Sequence, residues 1–205
     1  MADTKPVIEV KKNGAFMVKG LTSFIGVHGE PLPVKPVMML CRCGQSKRKP
    51  FCDGTHTEIH FNGDKSPDRV KDRVVKYEGK EITIHDNRGI CSHDGSCLKL
   101  PEVFDMSKMR WVNANGASKD EIIKTIEQCP SGALSYTVDG VYHDSIDRPP
   151  AIRVAENGAY NVEGGIELKD ESGAKPHLSE HYSLCRCGNS KNKPFCDGEH
   201  RHCEW

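Results

Sequence analysis

The sequence has no apolar run long enough to cross a membrane, and its opening residues, "MADTKPVIEV", carry a charge at Asp3 and no hydrophobic stretch. A spanning helix needs roughly 20 apolar residues in a row, and a secretory leader needs an apolar segment of its own, so neither is expected. Net charge is also absent, with 29 basic against 29 acidic side chains. Nothing global therefore draws the chain to nucleic acid or to an anionic membrane. Hydrophobic residues make up 36% and aromatic ones only 6% of the 205 residues, too little for one large core. Small units that bury little surface often depend on metals or disulfides. The chain has no glycine-rich phosphate loop, no nucleophile elbow and no zinc-protease helix. It does not read as an enzyme.

What it has is cysteine, ten in all. Without a leader the expected compartment is the reducing cytoplasm, where clustered cysteines signal metal or redox work rather than disulfides. Nine of the ten fall into patterns of fixed spacing, six of these together with two histidines in a repeated motif and three in a segment between the repeats. "CRCGQSKRKPFCDGTH" begins at Cys41 and "CRCGNSKNKPFCDGEH" at Cys185, an offset of 144. The same offset carries Pro6 to Pro150, Asn13 to Asn157 and Phe61 to Trp205, and about 23 positions are identical between Pro6 and His56 and their counterparts. This is an internal duplication. Each copy opens with alternating apolar residues around Asn-Gly (Ile8, Val10, Phe16 and Val18 in the first), which predicts a strand, a tight turn and a strand. "PVMML" and "EHYSL" then predict a further strand leading into the cysteines.

Written by spacing, the repeated motif is C-x-C-x8-C-x3-H: Cys41, Cys43, Cys52 and His56, then Cys185, Cys187, Cys196 and His200. Pro50-Phe51 and Pro194-Phe195 suit a helix start at the third cysteine. Such a helix would put Cys52 and His56, and likewise Cys196 and His200, on one face. Three thiolates and an imidazole suit zinc or an iron–sulfur cluster about equally by softness. The single residue between the first two cysteines is tight for zinc, whose cysteines usually pair as C-x(2–4)-C.

These two stretches resemble the CDGSH iron–sulfur motif of the NEET proteins over about 110 residues. The resemblance implies one 2Fe–2S cluster per motif. Cys41 and Cys43 would hold one iron, and Cys52 and His56 the other. Cys185 with Cys187, and Cys196 with His200, repeat this. It also implies that the two motifs, normally paired in a dimer, pair within this chain as an intramolecular pseudo-dimer, leaving a monomer without the membrane anchor of single-motif members. Asp53 and Asp197 are expected to hydrogen-bond locally rather than ligate. Of the flanking basic residues, Arg42, Lys47, Arg48, Lys49, Arg186, Lys191 and Lys193, the bland expectation is a solvated face and the sharper one a dock for an acidic redox partner.

Between the copies lies a segment of different character, residues 72–143, between units at 1–66 and 144–205. "RVVKYEGKEITIHD" predicts strands, Ser118 and Glu121 predict a capping box ahead of a helix with Ile122, Ile123 and Ile126 on one face, and "ALSYTV" predicts a last strand. Its cysteines, Cys91 and Cys97 in "CSHDGSC" and Cys129 before Pro130, follow the plan of a tight loop plus a remote Cys-Pro. With "PEVFD" this pattern resembles the single-cluster bacterial ferredoxins over about 55 residues. The resemblance implies an α+β ferredoxin-like domain holding a 3Fe–4S cluster on three cysteines, or a 4Fe–4S cluster if Asp94, or less readily His93, supplies a labile fourth ligand. Cys203 belongs to no motif. The whole is expected to be α+β, with two β-rich units flanking the insert. It should carry two 2Fe–2S clusters and a third 3Fe–4S or 4Fe–4S cluster, and exchange electrons with a reductase or acceptor protein. The alternatives are storage or transfer of clusters to an apo acceptor, and a structural zinc-binding interaction module.

Overall fold

Asn13-Gly14 and Asn157-Gly158 each sit at the tip of a hairpin, Asn13 and Asn157 having φ of 49° and 42°. Asparagine tolerates this left-handed backbone, and each turn closes as a three-residue loop, with Lys11 N–H donating to the Ala15 carbonyl (3.2 Å) and Ala155 N–H to that of Ala159 (3.0 Å). The first hairpin joins β1 (Val7–Val10) to β2 (Phe16–Lys19), and its copy joins β9 (Ala151–Val154) to β10 (Tyr160–Glu163). Their alternation buries Ile8, Val10, Phe16 and Val18 completely or nearly so. The predicted third strands are present as β4 (Val37–Leu40) and β12 (Tyr182–Leu184), each antiparallel to its hairpin. The computed structural model describes residues 5–205, so the first four residues of the expected unit at 1–66 lie outside the described residues.

Each unit completes the other's sheet. The short β3 (Phe24–Ile25) leaves the first unit and pairs in parallel with β9 of the second. In return β11 (Glu167–Asp170) pairs in parallel with β1. The two sheets are thus ordered β11-β1-β2-β4 and β12-β10-β9-β3. Ile8 faces Leu168 and Ile152 faces Phe24, positions that map onto each other through the offset of 144. One core runs through both units, with Phe16 edge-on to Tyr160 at 6.3 Å between ring centres. The Tyr160 hydroxyl donates to the carbonyls of Cys41 (3.0 Å) and Pro50 (2.8 Å), bonds that Phe16, its counterpart, cannot make. The intramolecular pseudo-dimer is therefore present.

The inserted segment builds a second core and its own antiparallel sheet, β5 (Val74–Glu78), β6 (Thr83–Asn87), β7 (Leu134–Val138) and β8 (Val141–His143), in that order. The expected helix is α2 (Lys119–Ile126), with its Ser118–Glu121 capping box formed and Ile122 and Ile126 buried. The chain as a whole is mostly β. Besides α2, the α-helical content among the described residues is the four-residue α1 (Thr55–Glu58).

The seam between the units admits no side chain at two points. A Cβ on Gly44 would collide with the backbone of Cys187, and one on Gly188 with that of Cys43. Both glycines also have positive φ, 75° and 81°. Gly29, at φ 84°, has open space around it. Gly29→Ala is expected to cost only the backbone term, about 1 kcal/mol. Gly44→Ala adds a clash with backbone that cannot yield, and should cost about 3 kcal/mol or more. Urea unfolding of both variants decides this, and equal losses would contradict the interlocked seam.

Candidate metal centres

The loop after β4 does not continue into a helix at the third cysteine, as Pro50-Phe51 suggested. It folds back on the strand: Cys41 N–H donates to the Pro50 carbonyl (2.8 Å), Cys52 N–H to that of Met39 (2.8 Å), and Phe51 bridges to Leu40. These strand-like bonds hold Cys52 in extended backbone. The turn of α1 starts only after Gly54, whose φ is 95°. The second copy repeats the pattern through Cys185 N–H to Pro194, Cys196 N–H to Ser183 and Leu184 to Phe195, and its turn, Glu199–Arg201, is 3-10 rather than α. Cys52 and His56 meet all the same, because the Gly54 turn swings the imidazole back over the strand end.

The donors arrive in pairs. Cys41 and Cys43 bring their Sγ atoms to 3.8 Å, and Cys52 Sγ lies 3.3 Å from His56 Nδ1. Cys185 with Cys187 and Cys196 with His200 repeat the same two distances, 3.8 and 3.3 Å. Two thiolates on one tetrahedral metal, each bonded at about 2.3 Å, lie about 3.8 Å apart, and a thiolate–imidazole pair somewhat closer. Among the described residues, no three cysteine, histidine, aspartate or glutamate side chains gather around one point. Burial pushes the Cys43 thiol up to about 11 and raises Cys52 and Cys196 as well. The hydrogen bond that Cys187 donates to Cys185, then burial, raises Cys187. Burial lowers His200, keeping its imidazole neutral and able to ligate. Protons on these buried thiols are what a metal would displace.

The neighbours divide into two kinds. Arg42 and Arg186 are buried. Arg42 donates to the carbonyls of Lys11 (3.2 Å) and Gly63 (2.7 Å), and Arg186 to those of Gly158 and Ala155 (both 2.8 Å). They lock each cysteine loop to its own hairpin, a role the sequence alone did not separate from that of the exposed Lys47, Arg48, Lys49 and Lys191. Asp53 accepts from Lys47 N–H (2.8 Å) and Thr55 N–H (3.1 Å), and Asp197 from Lys191 N–H and Glu199 N–H at the same distances, so both aspartates are local braces.

In the insert, Cys91, Cys97 and Cys129 line one cavity, with Arg88, Asp94 and Trp111. Burial raises Cys91, and raises Cys97 to about 11. Asp94 sits at the cavity's exposed side, and its carboxylate accepts from Ser96 N–H (3.2 Å) and from the Ser96 hydroxyl. His93 turns outward from the loop onto Gly198 of the second unit. Cys203 stays apart, bonding to the Glu199 carbonyl (3.4 Å).

Sequence reasoning missed Asp86. Its carboxylate is 1% exposed, lines the same cavity, accepts from Trp111 Nε1 (3.2 Å) and lies 3.9 Å from the Arg88 guanidinium. Arg88 stacks on Trp111 at 4.3 Å and reaches Cys91 Sγ at 3.6 Å. Burial pushes the Asp86 carboxyl up to about 6, against the opposing pull of Arg88. A strand residue whose side chain should face an apolar core was the available signal. Because its folded pKa lies above the unfolded value of about 3.9, the folded state holds the extra proton between about pH 4 and 6. The stability it confers is complete below that window and lost as the pH rises through it. The indole N–H of Trp111 should therefore change its hydrogen bonding with a midpoint near 6, read by ultraviolet resonance Raman in a Trp205→Phe background. Asp86→Asn should abolish the transition, and a midpoint near 4 would contradict the buried placement.

Residues 13–57 and 157–201 match the family described as "Iron-binding zinc finger CDGSH type", and residues 77–139 match "Divergent 4Fe-4S mono-cluster". The "Uncharacterized protein YjdI" of Escherichia coli strain K12 and that of strain O157:H7 are each 33% identical to this chain over 61 residues, which is 29% of this chain and 80% of theirs. No solved structure matches. No helix among the described residues is long and apolar enough to cross a membrane. Paired donors on two pseudo-symmetric loops and a three-cysteine cavity in the insert agree with these matches, and the chain belongs to the CDGSH iron-binding family as an iron–sulfur protein in which two such domains in tandem flank a divergent 4Fe–4S region.

Proposed function

We propose that this chain is a non-enzymatic electron carrier holding two 2Fe–2S clusters, one per CDGSH motif, and a third 3Fe–4S or 4Fe–4S cluster in a ferredoxin-like middle domain. The pairing of donors carries this reading. Each motif presents two pairs at metal-ligand spacing rather than four donors around one point, which suits two metal atoms better than a single zinc. When bound, such clusters supply one-electron chemistry at a potential set by ligands, charge and exposure. The chain's own residues would fix and shield them. Tyr160 pins the Cys41 and Pro50 carbonyls, Arg42 and Arg186 lock the loops, and an imidazole ligand at His56 and His200 brings less negative charge than a thiolate would.

Cluster transfer is a second reading, favoured by one observation. His56 and Cys52 are both partly exposed, so a metal held by this pair would be open to an acceptor from solvent. Partners on the first reading are a reductase and an acceptor protein, and on the second an apo iron–sulfur protein.

Protein purified without oxygen should contain about seven or eight irons per chain with matching sulfide. About four would leave the middle domain a scaffold, and zinc without sulfide would overturn the reading. The two 2Fe–2S centres should also differ. The second motif is the more buried, with Cys196 2% exposed where Cys52 is partly open, and burial disfavours the added negative charge of reduction. A potentiometric titration followed by electron paramagnetic resonance should show the centre at Cys185–His200 reduced at lower potential than the one at Cys41–His56, with Cys→Ser variants assigning the waves. A single shared wave would contradict the asymmetry.

A further inference from the structure

We propose that the loop from Cys41 to His56 is the single docking face for an acidic one-electron partner protein, its duplicate at Cys185–His200 being already occupied by the chain's own middle domain. The proposal rests on the electron-transfer reading and adds where, and with what kind of surface, exchange happens.

The two loops are nearly identical in sequence and sit at equivalent places about the pseudo-twofold seam, yet one is covered. Asn192 Nδ2 donates to the Gly89 carbonyl of the insert (2.9 Å), and Ser66, at the end of the first unit where the chain leads into the insert, donates its backbone N–H to the Lys191 carbonyl (2.8 Å). A Cβ on Gly198 would strike the His93 ring, whereas one on its counterpart Gly54 meets nothing within 4 Å. Phe195 and Pro194 are buried, while Phe51 and Pro50 remain partly open. The covered copy thus shows that this loop surface accepts a cluster-bearing domain, and the uncovered copy offers the same surface to solvent.

Charge follows the same division. The first loop carries Arg42, Lys47, Arg48 and Lys49 against Asp53, a balance of +3. The second carries Arg186, Lys191 and Lys193 against Asp197 and Glu199, a balance of +1. Where the middle domain docks, Asn192 replaces Arg48 and Glu199 replaces Thr55. Lys47, Arg48 and Lys49 are exposed and join none of the ion pairs among the described residues, although Lys49 also leans on the Trp205 ring at 5.4 Å. Flanking the loop in the chain are Met39, whose carbonyl accepts from Cys52 N–H, and Ile59, which are 36% and 46% exposed and add apolar surface to the charged loop. Their counterparts are the buried Ser183 and the half-buried Cys203. With a net charge of zero, the chain as a whole would not steer an acidic protein, so this patch must do so locally. On the electron-transfer reading Cys41, Cys43, Cys52 and His56 would hold the group that exchanges one electron with the partner's centre. One centre is oxidised as the other is reduced, and no bond is made or broken.

The test mixes the full chain with an acidic 2Fe–2S ferredoxin of the plant type and a water-soluble carbodiimide, which joins lysine amines to carboxylates in contact. Cross-links mapped by mass spectrometry should fall on Lys47 and Lys49 rather than Lys191 and Lys193, and should vanish at high salt. Arg48→Glu keeps both reactive lysines and should lower their yield at least about threefold at low salt. Cross-links spread evenly over surface lysines, none at all, or an unchanged yield in Arg48→Glu would overturn the proposal. So would links from Lys47 to the middle domain of a second copy, which would make the occupant this chain itself. The readout needs no electron transfer. A chain that lacks iron and sulfide yet cross-links as expected would sink the electron-transfer reading and leave the docking face standing.

Discussion

Everything in this molecule hangs on the reciprocal exchange of two short strands across the pseudo-twofold seam. Neither unit's sheet is complete alone: β3 enters a sheet by pairing with β9, and β11 by pairing with β1. Units this small bury too little surface to be stable in isolation, and the exchange merges their apolar faces into one core. At the same seam Gly44 lies on the backbone of Cys187, and Gly188 on that of Cys43. The packing that stabilises the fold therefore also sets both Cys-x-Cys pairs in place. A metal centre here is supported by close backbone packing across the seam rather than by a free loop.

That location has an electrostatic cost. Cys43 and Cys187 resist ionisation, whereas Cys185, accepting from Cys187, is lowered to about 7. The cost is met by dipoles and charges close by. Buried Arg42 and Arg186 spend their hydrogen bonds on hairpin carbonyls, yet leave a guanidinium beside each loop. Backbone N–H groups of Asn189 and Gly198 point at Cys187 and Cys196, both at 3.4 Å. Such donors favour the thiolate, and with a metal present they would stabilise the charge that the metal draws onto sulfur. The middle cavity uses a different device, an Asp86–Arg88–Trp111 stack, in which the aspartate's own burial is incompletely offset.

The sequence made the ligand pattern legible because spacing alone carries it, and made the duplication legible because one offset relates ligands, turns and core residues alike. The Asn-Gly hairpins and the Ser118 cap were readable for the same reason: each is a local signal with a local cause. The exchanged strands were not. Phe24-Ile25 is two residues long and its partner lies about 130 positions away, so no periodicity announces it. The helix expected at Pro50 failed because a good helix-start residue there is outweighed by hydrogen bonds to β4. β8 left a signal that went unused, Asp139-Gly140, both at positive φ between β7 and β8. The burial of Arg42 and Arg186 among otherwise exposed basic residues depends on tertiary contacts and has no local mark.

Duplication by itself would give two equivalent centres. The insertion ends that equivalence, because a domain joined between the copies has to lie against one of them. It lies against the second, where His93 meets Gly198 and Asn192 meets Gly89. The two centres then share ligands and spacing but differ in exposure and in surrounding charge, the two quantities that tune a cluster's potential once its ligands are fixed. The middle cavity is brought next to the buried centre and the open centre is left at the far side of the seam. On the proposed reading this arranges three sites in sequence from one repeated motif, with no change to the ligands themselves. Asymmetry arises from where the chain was interrupted, not from a new kind of site.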